Sequence, residues 1–126
     1  MALSVLLALK GDEGSVLLIG LGGGNICTYL HRLFPKVSIT GVELDPSIVA
    51  VAKDYFSLHP DETLSVVVED GKKYVETCSE TYDVIMIDVN SSDRGAAMTF
   101  PDEAFVDEPF LPHVKKALKR DGKLEV

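Results

Sequence analysis

Val16-Leu-Leu-Ile-Gly-Leu-Gly-Gly-Gly-Asn25 is the stretch that decides the fold. An apolar run over residues 16–19 passes into four glycines within five positions, and a helical pattern follows at once. The run is short and rich in leucine and β-branched residues, so it reads as a strand buried on both faces, as in a parallel sheet. Gly20, Gly22, Gly23 and Gly24 let the backbone turn sharply and approach a ligand with no Cβ in the way. A helix opening near Asn25 would point free N–H groups at that ligand. Strand, glycine turn and helix make the first unit of a nucleotide-type binding site.

Composition sets the class around that unit. A chain of 126 residues makes one domain, long enough for a real core and short for a complete α/β enzyme. Its hydrophobic content of 46% argues for a globular fold and against disorder. Twelve basic against twenty acidic residues leave a net charge of −8, with none of the basic patches that phosphate backbones require, so nucleic acid is not expected as a partner. A cationic substrate such as an amine suits this balance, and a solvated acidic surface explains it equally well. Cys27 and Cys78 stand without a CxxC or a histidine at ligand spacing, and read as packed thiols of a reducing, cytoplasmic compartment. His31, His59 and His113 lie far apart, so no metal site is expected. Residues 1–9 are apolar but lack a basic n-region and are too short to span a bilayer; no membrane role is expected.

Outward from the glycine turn, residues 2–9 read as a helix covering the sheet, released into strand one by Gly11-Asp-Glu-Gly14. After the turn, Ile26, Tyr29, Leu30 and Leu33 follow the i, i+3, i+4, i+7 stripe of a helix that Pro35 ends. Val37–Glu43 is β-branched and strand-like. Asp45-Pro46 then starts a helix, aspartate as N-cap and proline at the first helical position, with Ile48, Val51, Ala52, Tyr55 and Phe56 inward. A third strand over 64–69 leads through Asp70-Gly71 into a short helix carrying Tyr74, Val75 and Cys78, and a fourth covers 82–89. Residues 90–103 read as loop. The spacing predicts a last helix over 109–120 with Phe110, Leu111, Val114 and Leu118 inward, Pro112 in its first turn and Gly122 as its C′ stop. A fifth strand begins at 123. Strands alternating with helices give βαβ units, hence an open parallel sheet with helices on both faces, a Rossmann-like α/β fold.

Ligands of such sheets bind outside the carboxyl ends of the strands. That rule gathers the glycine loop, Glu43-Leu44-Asp45, Asp70-Gly71 and Asp88-Val89. Glu43 lies about twenty residues beyond the loop, the spacing at which a carboxylate takes both ribose hydroxyls. Asp70 is in position to accept from an adenine amino group, or to cap the helix that follows. Asp88 falls beside the glycine loop if strand four neighbours strand one. Asp45 reads as a cap. The loop departs from G-x-G-x-x-G, because Asn25 takes the last glycine position, which weakens a dinucleotide reading.

Leu17-Leu-Ile-Gly-Leu-Gly-Gly-Gly24, Gly41-Val-Glu-Leu-Asp-Pro46, Glu69-Asp-Gly71 and Tyr82-Asp-Val-Ile-Met-Ile-Asp88, in that order, resemble the class I S-adenosylmethionine-dependent methyltransferases in their spermidine-synthase-like branch. Asp88-Val-Asn-Ser-Ser-Asp93 and Pro101-Asp-Glu-Ala-Phe-Val106 are similar in particular to the branch's elongation-factor lysine and N-terminal methyltransferases. The resemblance implies methyl transfer from S-adenosyl-L-methionine, leaving S-adenosyl-L-homocysteine, to an amine nitrogen of a protein. It implies that the backbone of Gly20, Leu21, Gly22, Gly23 and Gly24 cradles the methionine part, Glu43 holds the ribose, and Leu44 packs on the adenine. Asp70 and Gly71 would read the adenine edge, with Val89 beside them, and Asp88 would face the sulfonium and the acceptor amine. Polyamine synthases carry an aspartate where this chain has Gly23, which favours methyl over aminopropyl transfer. A polyamine synthase and a non-catalytic cofactor-binding remnant are the alternatives. The family sheet has seven strands, so a domain incomplete at its C-terminus is expected, with self-association through the open edge of strand five.

Overall fold

The fold is described from a computed structural model, for residues 9, 11, 13–21, 24–88 and 110–125. The elements in order are β1 (Gly14–Ile19), α1 (Asn25–Leu33), β2 (Val37–Glu43), α2 (Pro46–Tyr55), β3 (Leu64–Val68), α3 (Gly71–Thr77), β4 (Tyr82–Ile87), α4 (Leu111–Ala117) and β5 (Leu118–Glu125). All five strands pair in parallel, in the order β3-β2-β1-β4-β5. The chain builds outward from β1 to β3, then crosses back to lay β4 on the other side of β1. That reversal opens a crevice at the carboxyl ends of β1 and β4. The helix expected over residues 2–9 and the loop over 90–103 lie outside the described residues, apart from Leu9, which is buried.

Burial on both faces explains the apolar strands. Val16, Leu18, Ile39, Leu64, Val84 and Met86 face one core with Cys27, Leu30, Val49 and Ala52 of α1 and α2. Leu17, Ile19, Val42, Ile85 and Ile87 face the other, with Val75 of α3 and Val114 and Ala117 of α4. The Tyr82 hydroxyl lies 2.8 Å from that of Tyr74, tying β4 to α3, and burial raises its pKa.

The helix faces differ from the expected ones. In α1 the buried positions are Cys27 and Leu30, followed by Phe34, while Tyr29 is 55% exposed and Leu33 is exposed as well. The helix turns this way because Gly41 of β2 leaves a hollow that takes the Cys27 sulfur. In α2 only Val49 and Ala52 are buried; Ile48, Val51, Tyr55 and Phe56 face outward. Leu58, fully buried and donating its N–H to the Ala52 carbonyl, fills the space expected for the last turn of α2.

The last helix also corrects the expectation. α4 ends at Ala117, and Leu118 already pairs with Tyr82 in the sheet. Between that pair and Val84↔Lys123 the register shifts, so residues 119–122 bulge. Gly122 sits inside β5 and does not stop the helix. A Cβ there would lie 3.0 Å from the Tyr82 and Lys119 carbonyl oxygens, so the bulge is tight for any side chain. Phe110, Val114 and Ala117 are buried, and Leu111 is exposed at the helix start beside Pro112.

At the amino rim of the sheet the carboxylates are engaged. Asp83 accepts from the Ser15 N–H at 2.8 Å and the Lys119 ammonium at 3.0 Å, joining β1, β4 and β5. Asp61 accepts from the N–H groups of Thr63 and Leu64 and lies 2.7 Å from His31 Nε2, joining α1 to the entry of β3.

Candidate functional site

The carboxyl rim brings together the strand ends that the sequence singled out. Beyond β1, Gly20 takes a φ of 89° and donates to the Val42 carbonyl at 2.9 Å, and Gly24 takes a φ of 80° as the N-cap of α1. Both conformations suit glycine. Gly24 is also short of space, since a Cβ would lie 3.3 Å from that of Ala52. Its neighbour is therefore α2. Gly22 and Gly23 lie outside the described residues, as does Val89.

Leu21 corrects a simple picture of this loop as a bare backbone cradle. Its side chain is buried in the core, and its N–H donates to Glu43 Oε1 at 3.2 Å. The amides of Gly20, Leu21 and Gly24 all bond within the protein. Among described residues, donors for a ligand are those of the first turn of α1, which helix geometry leaves without intrahelical partners.

Glu43 ends β2, and its other oxygen, Oε2, accepts from the Asp45 N–H at 2.9 Å. The carboxylate thus bridges the loop after β1 and the turn after β2, with further lone pairs to offer a ligand. Leu44 beside it is 68% exposed, an apolar plate at the rim. Asp45 caps α2: its Oδ1 accepts from the Ser47 hydroxyl at 2.6 Å and the Ser47 N–H at 2.9 Å, which hold its carboxyl below the ordinary range.

Beyond β3, Asp70 caps α3 through Oδ1, which accepts from the Lys72 N–H at 2.9 Å. Its second oxygen has no partner among the described residues. Gly71 is buried at the first position of that helix. Asp88 follows β4 directly; its N–H donates to the Ile19 carbonyl at 2.8 Å, and its half-buried side chain makes no hydrogen bond or ion pair among the described residues.

Sequence reasoning missed Gly41. A glycine inside a strand pattern signals a close approach, and here the approaching groups are Leu21 Cδ1 and Cys27 Sγ. Among the described residues no group of three or more His, Cys, Asp or Glu is arranged to hold a metal, and no helix is long and apolar enough to cross a membrane.

Comparison with known proteins gives this rim a family context. The model of the spermine/spermidine synthase domain matches residues 2–126. An eEF1A lysine and N-terminal methyltransferase homolog of Drosophila melanogaster is 38% identical over 113 residues, covering 87% of this chain and 17% of that protein. The crystal structure of human methyltransferase-like protein 13 in complex with SAH superposes with a TM-score of 0.85 at 34% identity, covering 95% of this chain and 59% of that one. A polyamine aminopropyltransferase of Neisseria meningitidis is 30% identical over 105 residues, covering 82% of this chain and 38% of that protein. The chain thus spans about 17% of the length of the first of these relatives.

Proposed function

Because the chain belongs to the spermine/spermidine synthase domain family, we propose that it is an S-adenosylmethionine-dependent methyltransferase domain acting on an amine nitrogen of a protein, lysine or N-terminal. The observation that carries this reading is Asp88: a half-buried carboxylate with no partner among the described residues, held at the crevice by its N–H bond to Ile19.

The residues present fit such a ligand. Glu43 retains acceptor capacity for two vicinal hydroxyls, Leu44 offers an apolar plate for an adenine ring, and the uncommitted oxygen of Asp70, with the Gly71 N–H, matches a base edge. The first turn of α1, with Gly22 and Gly23 before it in sequence, supplies donors for a carboxylate. Val89 follows Asp88 in sequence. S-adenosylmethionine, when bound, supplies a methyl carbon on a sulfonium and leaves as the thioether S-adenosylhomocysteine.

Asp88 accepts an N–H of the neutral acceptor amine and aims its lone pair at the methyl carbon. The bound cofactor would supply its methyl carbon to that nitrogen and would keep the electron pair of the broken C–S bond on sulfur. Positive charge grows on nitrogen, where the Asp88 carboxylate offsets it, and the methylated ammonium then yields a proton to Asp88 or water. Alignment supplies much of the acceleration, which explains the rigid strand-end geometry.

In this reading the 126 residues are one cofactor-binding domain, working in the cytoplasm, where Cys27 and Cys78 stay reduced. Any self-association runs along the edge of β5, whose exposed Lys119, Arg120, Asp121 and Lys123 restrict it to partners of matching charge. The 30% identity to an aminopropyltransferase supports a second reading, aminopropyl transfer to a polyamine. Calorimetric titration with S-adenosylmethionine and with its decarboxylated form separates the two. Tighter binding of the intact form is expected; preference for the decarboxylated form would transfer the domain to the second reading.

A further inference from the structure

We propose that Gly41 is a positioning residue for the glycine loop, acting through Leu21; the inference rests on the cofactor site proposed above. Gly41 lies in the middle of β2, paired with Leu18 on one side and Val66 on the other. Its φ is not in the positive range, so the backbone does not call for glycine there. Space does. A Cβ would lie 3.0 Å from Leu21 Cδ1 and 3.2 Å from Cys27 Sγ, inside the ~3.5–4.0 Å of an ordinary carbon contact.

The hollow left by the missing side chain is filled by Leu21 from the loop and Cys27 from α1, both buried. Strand alternation puts Val37, Ile39, Gly41 and Glu43 on one face of β2. The residue that receives the Leu21 side chain and the carboxylate that receives the Leu21 N–H are therefore neighbours in one row. Two contacts, one apolar and one polar, fix a single loop residue against a central strand. Gly22 and Gly23 follow Leu21 in the sequence. A methyl group at position 41 would make Leu21 and Cys27 give by a few tenths of an ångström, and a shift of Leu21 would lengthen its bond to Glu43 at the same time.

The test uses four proteins: the wild-type chain, Gly41→Ala, Gly41→Ala combined with Leu21→Val, and Leu64→Ala as a core variant at the opposite end of the same apolar face. Each is titrated with S-adenosylhomocysteine, melted, and followed by amide hydrogen exchange without ligand. Gly41→Ala is expected to lose about tenfold in affinity, since sites tolerate only about 0.5 Å of misplacement. It should also exchange faster at Leu21. Shortening Leu21 in the double variant should restore most of both. Leu64→Ala should melt earlier yet keep its affinity within about twofold. Wild-type affinity and exchange in Gly41→Ala, or no recovery in the double variant, would overturn the proposal. If Gly41→Ala does not fold, Leu21→Ala empties the hollow instead, and retained affinity there overturns it equally. A wild-type chain that ignores S-adenosylhomocysteine sinks the cofactor reading, while the exchange at Leu21 still decides the role of Gly41.

Discussion

The N–H of Asp88 donates to the carbonyl of Ile19 at 2.8 Å, one step past the last residue pair of β1 and β4, Ile19↔Ile87. The same extra rung recurs at the other strand ends, from Gly20 to Val42 at 2.9 Å and from Glu69 to Glu43 at 3.0 Å. Glu43 and Asp88 are thus placed by the ladder itself, and Asp70 follows the last rung by one residue as the cap of α3. Asp88→Asn keeps the shape and removes the charge. Methyl transfer to a synthetic peptide bearing a lysine and a free N-terminus should fall about 10²-fold or more, with S-adenosylhomocysteine affinity changed only a few-fold. Radiolabel transfer and calorimetry on the same samples check this. Equal losses in both would make Asp88 a cofactor ligand without a part in catalysis.

Glu43→Ala removes the proposed ribose acceptor and the bridge between Leu21 and Asp45. Affinity for S-adenosylmethionine should weaken by roughly 1–3 kcal/mol, the worth of charge-assisted bonds to a partly buried carboxylate. An unaltered titration would remove Glu43 from the site.

Asp83 ties pH to stability at the far rim. Burial alone would raise its carboxyl, but the Lys119 ammonium and the Ser15 donors outweigh it and hold the carboxyl below the ordinary range. A carboxyl lowered in the folded state adds stability above its unfolded value of about 4, and loses it as pH falls through the folded value. Asp83→Asn should therefore cost about 1–2 kcal/mol at neutral pH, with the gap closing in acid. Urea titrations across that range measure it. A gap that stays constant into strong acid would mean that the carboxylate charge plays no part.

The two thiols should separate cleanly. Burial pushes the Cys27 thiol up to about 12, while Cys78 is raised less and is half-buried. A thiolate reagent in mild alkali should label Cys78 first and reach Cys27 only with unfolding. Mass spectrometry of partly labelled protein decides it, and early Cys27 adducts would show that α1 opens readily.

The parallel sheet, the Asp45 cap and the convergence of acidic residues on one rim were legible in the sequence, because each depends on local pattern or on the general handedness of βαβ units. The helix faces were not. Cys27 is buried, and Tyr29 and Leu33 are not, because of a glycine in another element, Gly41, and Leu58 displaces the end of α2 from a connecting segment. Periodicity within one helix carries no record of a hollow in the strand beneath it. The early start of β5 is of the same kind, since Leu118 is equally apolar in a helix and in a sheet and only its pairing with Tyr82 decides.

Asp61 and Asp83 at the amino ends of the strands are committed to partners within the protein, whereas Asp88 and one oxygen of Asp70 at the carboxyl ends have none among the described residues. Position along the strands therefore doubles as a genetic coordinate. In a saturation library sorted separately for soluble yield and for cofactor capture, charge-removing changes at Asp61 and Asp83 would be lost in the first sort. Those at Asp88 would pass it and be lost in the second, so that five parallel strands divide the domain's tolerance to mutation into two inherited compartments, one guarding persistence and the other guarding use.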